Sequence, residues 1–400
     1  MKWYVILTYI VMTLSTQFLC ADPASVTGTV ASANNAFALD LYARLSQQPG
    51  NVLVSPFSVH TALAMTYAGA RGETARQMAK ALHFPARDSD LHAGFAALLK
   101  EMNQANAAGC ELVIANSLWL QQNLSVKESF LKTTREQYAA HPNLVDFTAG
   151  EAVPRRRINE WVSAQTRGHI PEIVPPGMLN EDTRLVLVNA IYFKGIWAVE
   201  FDRSRTADSP FYLESGRAVL VPMMRQMADF GYVETKELQV LELPYTFNQL
   251  SMVILLPKKG HKLVDIEKNL TPDRIEQLRR KSRVQKVDVS LPRFKIQSDF
   301  RLNETLQAMG MVDAFLDGVA DFSGMTDEER LFINAVLHKT YLEVDEAGTK
   351  AAAVTAVVMD RSAEPPAFVT FNANHPFLFL IRHNPTGAIL LLGRVANPAL

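Results

Sequence analysis

Along the first third of the chain the apolar residues fall at helical intervals. Over residues 34–47, Phe37, Leu39, Leu41, Tyr42 and Leu45 lie close to a 3.6-residue period, which predicts an amphipathic helix. Ser55-Pro56-Phe57-Ser58 then punctuates the chain. Pro56 suits the first turn of a new helix capped by Ser55, continuing through Leu63, Met65 and Tyr67 to Gly69. A further helix is predicted after Gly72, through Ala75 to Leu82.

The pattern then changes. Residues 112–120 read as a strand. Residues 184–193 are almost uninterruptedly apolar, β-branched or aromatic, as in a strand buried on both faces of a large sheet. Residues 240–243, 250–256, 286–291, 369–371, 377–382 and 388–392 add further strands. Helices first and strands to the end give an α+β chain. Length alone suggests two or three domains, but no linker, repeat or low-complexity tract divides the sequence, and one large domain over residues 22–400 is expected.

One segment fits neither pattern. Residues 348–366 carry no bulky side chain until Met359 and end in Pro365-Pro366, which force extended backbone. The alanines by themselves favour helix or a flexible linker. At a period of two, however, Thr349, Ala351, Ala353, Thr355, Val357 and Met359 share one uncharged face, while Lys350 and Asp360 lie on the other. The segment thus reads as a strand with one face able to be buried. Yet it runs into Arg361-Ser362, a good cleavage site for a trypsin-like protease. Residues 346–366 are therefore expected to form an exposed bait loop.

Composition narrows the function. A net charge of −1 lacks the basic surplus that a nucleic-acid partner requires. The dense basic runs, Arg155-Arg156-Arg157 and Arg279-Arg280-Lys281, read as solvated helix faces, with a polyanion site as the minor alternative. Lys2, the apolar run over residues 5–14 and the small residues up to Ala21 read as a signal peptide over residues 1–21, hence a secreted, extracellular protein, or a periplasmic one in a bacterium. That run is short for a membrane span, so no membrane association is expected. With Cys20 in the signal, Cys110 stands alone and reads as buried and structural rather than as a nucleophile. The sequons at Asn123, Asn269 and Asn303 are about as many as chance gives. There is no Gly-x-Ser-x-Gly elbow, no His-Glu-x-x-His helix and no phosphate-binding glycine loop, and the nine histidines are scattered. No enzyme activity, cofactor or metal is expected; an unrelated hydrolase would need a nucleophile–base pair that the sequence does not offer.

Several longer motifs carry a specific resemblance. They are Asn51-Val52-Leu53-Val54-Ser55-Pro56-Phe57-Ser58, Val188-Asn189-Ala190-Ile191-Tyr192-Phe193-Lys194-Gly195-Ile196-Trp197 with Phe201, Leu291-Pro292-Arg293-Phe294, Leu337-His338-Lys339, Glu343-Val344-Asp345-Glu346-Ala347-Gly348-Thr349, and Asn374-His375-Pro376-Phe377-Leu378-Phe379, closed by residues 387–398. In this order, over essentially the whole mature chain, they resemble the serpin family of serine protease inhibitors.

The resemblance implies three β-sheets, eight or nine helices and an exposed reactive loop. It implies a monomer that acts as a suicide substrate. The target protease cleaves the loop, remains attached as an acyl-enzyme, and is disabled as the loop inserts into the central sheet. It places a hinge at Glu346, Gly348, Thr349, Ala351, Ala352 and Ala353, and a sheet-opening region at Ser55, Ser58, Asn189 and His338, with Trp197 at the top where insertion begins. It suggests that Arg293 and Glu346 pair there. Ala347 and Lys350 depart from the glutamates of many inhibitory members, and Val354 is bulkier than usual. The family's commonest loop length places the cut at Ser362–Ala363, for an elastase-like target. Side-chain chemistry favours Arg361–Ser362, for a trypsin-like one, and Met359–Asp360 would suit a chymotrypsin-like one. A non-inhibitory member, acting as carrier, chaperone or hormone precursor, is the alternative; such members typically have bulky, charged or proline-broken hinges.

Overall fold

The computed structural model describes residues 23–85, 88–107, 110–346 and 368–399. Among them are nine α-helices: α1 (Pro23–Leu45), α2 (Pro56–Tyr67), α3 (Gly72–Ala81), α4 (Asp88–Ala107), α5 (Glu128–Tyr138), α6 (Ala152–Gln165), α7 (Leu263–Lys268), α8 (Pro272–Lys281) and α9 (Asn303–Ala308). The first strands are β1 (Val52–Val54), β2 (Glu111–Gln121), β3 (Asn143–Val145), β4 (Leu185–Lys194), β5 (Ala207–Tyr212), β6 (Ala218–Glu234) and β7 (Leu238–Pro244). Then come β8 (Leu250–Pro257), β9 (Arg283–Pro292), β10 (Phe294–Arg301), β11 (Ala335–Val344), β12 (Val369–Asn372), β13 (Phe377–His383) and β14 (Ile389–Val395). Among the described residues no helix is long and apolar enough to cross a membrane.

The local causes are visible in the chain. Ser55 caps α2, its hydroxyl accepting from the Ser58 amide, and Pro56 supplies the first helical residue. Thr271 and Pro272 repeat the device at α8. That helix ends in Arg279-Arg280-Lys281, cations suited to its negative pole, and Glu276 pairs with both arginines. The other basic run, Arg155-Arg156-Arg157, lies on α6. Helix α1 begins well before residue 34, because Val26, Val30 and Ala33 extend its buried stripe. Helix α4, unanticipated, buries Leu91, Phe95, Leu98 and Met102 at helical spacing.

The central sheet has the order β10-β11-β4-β2-β3. Strands β11 and β4 are parallel and paired from Ala335↔Val186 to Leu342↔Phe193. Both faces are covered. Val186 and Val188 join Trp119, Ile158, Val162 and Leu337 beneath α6, while Leu185, Leu187, Ile191 and Phe193 join the main core with α1, α2 and the second sheet. Nine of ten β4 residues are consequently buried, as the apolar run predicts.

The second sheet runs β1-β14-β13-β8-β7-β6-β9-β12, with β5 also on β6. Where three sheets are expected, hydrogen bonds join two of them into one network. The long strand β6 pairs β5 from one end, β9 along most of its length, and β7 at Gly231–Glu234. Sequence reading passes over β6 because Pro222, Arg225, Asp229 and Gly231 interrupt it.

Candidate functional site

Alternation along the central parallel pair places a polar cluster inside the core. On β4, Leu185, Leu187, Asn189, Ile191 and Phe193 share one face, so Asn189 projects from an apolar row. On β11 the corresponding residues include Val336, His338 and Thr340. His338 and Asn189 are register partners, and both are fully buried.

Beneath them lies the start of α2. The Ser55 amide donates to His338 Nε2 at 2.9 Å, and the Ser55 hydroxyl donates to the Leu390 carbonyl at 2.8 Å. The Ser58 hydroxyl donates to Asn116 Oδ1 at 2.6 Å. Asn116 is in turn the register partner of Asn189 and lines a cavity of about 870 Å³ flanked by Tyr138 and Trp161. Thr340 Oγ1 donates to the Leu53 carbonyl at 3.1 Å. The structure thus brings Ser55, Ser58, Asn189 and His338 together and adds Asn116 and Thr340, which sequence reasoning missed. Their signal is register, which the one-dimensional pattern does not carry.

Electrostatics match the burial. Loss of solvation pushes the His338 pKa down to about 3, against a smaller opposing influence of the Asn189 backbone. The imidazole is therefore neutral, with Nε2 as an acceptor. The Asn189 amide atoms and His338 Nδ1 have no hydrogen-bond partner of good geometry among the described residues. These unmet groups make the centre of the β4–β11 seam the least well satisfied part of the sheet interior. Catalysis does not fit. Ser55 Oγ donates to a carbonyl, and His338 Nε2 is taken by a main-chain N–H, so neither is a nucleophile–base pair with the other. Cys110 is buried and free, and burial raises its thiol pKa, as suits a structural cysteine.

A second cluster sits at the top of the same strands. The Glu346 side chain is 2% exposed and pairs with Arg293 Nη2 at 2.5 Å, while Arg293 is 44% exposed. Thr206 Oγ1 also donates to Glu346 at 2.7 Å. Burial pushes the Glu346 carboxyl up, but the hydrogen bonds from Arg293 and Thr206 outweigh it and hold the pKa below its usual value. The expected Arg293–Glu346 pair is therefore present. Trp197 Nε1 donates to the Asp345 carbonyl at 2.9 Å, and the indole stacks on Tyr245 at 4.6 Å. On the outer face Lys194 pairs with Glu343 and Asp345, and Lys295 pairs with Glu343. Burial opposes the Lys194 charge, but its two acidic partners prevail and raise its pKa. The chain leaves β11 through this clasp at Glu346.

Gly348, Thr349, Ala351, Ala352 and Ala353 of the expected hinge, and Arg361 and Ser362 of the expected reactive bond, lie outside the described residues.

Comparison with known proteins agrees with this geometry. Residues 32–398 match the serpin (serine protease inhibitor) family model. The chain is 41% identical over 379 residues to the leukocyte elastase inhibitor of Homo sapiens, covering 92% of this chain and 99% of the relative. It is 43% identical over 374 residues to a serpin-like protein of Thermococcus kodakarensis, covering 92% and 86%. Among solved structures, maspin superposes with a TM-score of 0.86 at 30% identity, covering 94% of this chain and all of maspin. The thermophilic serpin tengpin in its native state gives 0.83 at 32% identity, covering 94% and 95%.

These relatives correct one expectation. The reading of residues 1–21 as a signal peptide implied a secreted protein, extracellular or periplasmic. The leukocyte elastase inhibitors that the chain matches along nearly their whole length are intracellular serpins, which overturns that localisation. Residues 1–21, on which the expectation rested, lie outside the described residues. The family model and the relatives together make the chain a member of the serpin (serine protease inhibitor) family, which includes the leukocyte elastase inhibitors and whose members are not catalysts.

Proposed function

We propose that the protein traps trypsin-like serine proteases as a suicide substrate, with residues 22–400 acting as one domain. The observation that carries the reading is the parallel pairing of β4 and β11, continuous over eight register positions. A strand that leaves the end of β11 and folds back between these two runs antiparallel to both. One parallel ladder is replaced by two antiparallel ones, which pair slightly better per residue. The bait segment suits that place, since Thr349, Ala351, Ala353, Thr355, Val357 and Met359 form an uncharged face. Ser55, Ser58, Asn189 and His338 lie where the strands part, and Trp197 and Glu346 lie where insertion begins.

The chemistry belongs to the protease. Its serine hydroxyl attacks the Arg361 carbonyl, the Arg361–Ser362 amide bond breaks, and the proton passes through the protease's histidine to the departing Ser362 amine. The ester left on Arg361 tethers the enzyme while residues 347–359 enter the sheet from the hinge at Glu346, Gly348, Thr349, Ala351, Ala352 and Ala353. The protein itself uses no cofactor in this scheme, and its partner is the covalently bound protease.

A second target class has specific support. Relatives of this chain are named for leukocyte elastase, and the family's commonest loop length places the cut at Ser362–Ala363. Fold likeness does not choose between trapping and other serpin roles, because a serpin described as tumour-suppressing shares the fold at a TM-score of 0.84. The test is incubation with trypsin, chymotrypsin and elastase, followed by denaturing electrophoresis and mass analysis of the released peptide. An SDS-stable trypsin complex with a peptide starting at Ser362 is expected. A peptide starting at Ala363 moves the target to elastase. Complete cleavage without a complex overturns trapping.

A further inference from the structure

Strands β4 and β11 are parallel, so their first residues, Leu185 and Ala335, share the lower end of the seam, opposite the clasp at Glu346. Asn334 ties the two ends together, its Oδ1 accepting from the Arg184 and Leu185 amides at 2.8 and 3.1 Å. One residue earlier, the Ile333 amide donates to the Ala314 carbonyl at 2.8 Å. That bond holds the segment over residues 311–320 against the foot of β11. The segment is firmly seated. Its short helical turn, Asp313–Phe315, buries Ala314 and Phe315, and Met311 and Ala320 are buried on either side. From α3, Gln77 Oε1 accepts from the Val312 and Asp313 amides at 3.0 and 2.9 Å, and Arg330 Nη1 donates to the Gly318 carbonyl at 2.9 Å.

The same segment turns three aliphatic side chains outward. Val312 is 42% exposed, Leu316 41% and Val319 53%. Over residues 312–319 only Asp313 and Asp317 carry charge. Solvated aliphatic groups on a rigid support fit a partner that covers them. The tether decides which partner reaches this end of the molecule. Fifteen residues separate Glu346 from Arg361. A strand folded back along the ten residues of β11 uses ten of them. Arg361 then emerges no more than about five residues below Ala335, at most about 17 Å of extended chain. A protease domain of about 220 residues has a radius of gyration of about 17 Å. A body of that size on so short a tether lies against the foot of the sheet.

We propose that Val312, Leu316 and Val319 are the bearing surface on which the tethered protease comes to rest, an inference that rests on the trapping reading. The contact forms only after insertion, so it plays no part in how the sheet opens. It acts on the last step. The ester is lost when water adds to the Arg361 carbonyl, Arg361 departs as a carboxylate and the protease's serine recovers its proton. That step needs the protease's catalytic groups in line. A protease seated on an apolar surface by a short tether is held away from that arrangement, and one that swings free regains it. The surface therefore sets the lifetime of the complex. Aspartate in place of Leu316 exchanges aliphatic contact for a charge that must lose its water, which corresponds to about a tenfold shorter lifetime.

The test purifies the complex formed with trypsin, or with whichever protease of the panel forms one, and follows the return of protease activity on a small chromogenic substrate. Leu316→Asp and Val319→Asp are expected to form the complex in wild-type yield and to release active protease about tenfold faster. Leu316→Met keeps an apolar contact and is expected to hold the protease as long as wild type does. Val264→Asp alters an aliphatic residue of similar exposure on α7, which packs on β8 and β13, and is expected to release at the wild-type rate. Equal lifetimes for wild type, Leu316→Asp and Val319→Asp overturn the bearing surface while leaving trapping intact. Equally fast release from Val264→Asp does the same, because it marks a general effect of added charge. A dimer of the uncomplexed protein in native mass spectrometry that Leu316→Asp dissolves assigns the patch to a second copy and also overturns it. No complex from any of the proteins with any of the proteases overturns trapping and the bearing surface with it.

Discussion

Replacing His338 with glutamine isolates the acid sensitivity of the central sheet. In the folded chain His338 is fully buried, and its pKa is pushed down to about 3 from an ordinary 6.5. The sign follows from linkage. A histidine depressed by folding contributes stability that is fully present above pH 6.5 and is lost as pH falls toward 3, because the unfolded chain takes up a proton that the folded one refuses. At about pH 5 the unfolded state gains about 2 kcal/mol from this one residue. His60, likewise lowered to about 3 by burial, adds a similar amount. Against a net stability of about 5–15 kcal/mol, the pair makes acid a strong perturbant. His338→Gln carries its own penalty, because the Ser55 amide loses or reshapes its acceptor. That penalty is the same at both pH values and drops out of the comparison. The measurement is the first urea transition, followed by tryptophan fluorescence at about pH 8 and about pH 5. The wild type should lose about 2 kcal/mol more than the variant over that interval. An equal loss in both proteins refutes the argument that buried His338 stays neutral.

Three further substitutions test the top of the sheet. Arg293→Ala leaves the buried Glu346 carboxylate with Thr206 as its remaining side-chain donor; water screening at the half-exposed arginine limits the loss to about 1–3 kcal/mol, and a fall in Tm below one degree contradicts it. The Glu346 pKa is lowered, so the stability it adds is present above its ordinary 4.5 and lost as pH falls below, and Glu346→Gln should flatten that acid limb of a Tm-versus-pH curve. Gly195→Ala places a methyl against the Tyr245 ring and 2.8 Å from Phe193 Cζ, and should destabilise by about 1–3 kcal/mol in urea; an unchanged midpoint refutes the close packing.

Much of this fold is legible in one dimension, for physical reasons that differ by element. Strand β4 announces itself because burial on two faces leaves no room for polar residues, and the Ser55-Pro56 cap marks the start of α2 by local hydrogen bonding. Strand β6 hides because its polar residues face solvent and Pro222 and Gly231 mimic breaks. Asn189 looks like an interruption in an apolar run; only its pairing with His338 and Asn116 makes it part of a cluster. The partnership of Glu346 with Arg293 is suggested by resemblance, whereas Thr206, 140 residues away, has no sequence signal at all. Nor has the placing of Val312, Leu316 and Val319 below the seam, which depends on how the chain enters β11. Export, read from an apolar stretch, fails because hydropathy describes partition and not destination.

The pairing of β1 with β14 sets the order in which this protein can be made. Val52 to Val54 align with Arg394 to Leu392, and Arg394 Nε reaches the Gly50 carbonyl across 344 residues of chain. Strand β14 lies between β1 and β13, so β1 has no strand partner in this sheet until residues 392–394 have been made. At about 5–20 residues per second, that is a wait of about 20–70 seconds. Until then, the three apolar residues of β1 lack the strand that covers them in the folded chain. A chain ended after residue 390 would lose most of β14, and it would leave a nascent protein that can collapse but has nothing to join β1 to the rest of its second sheet.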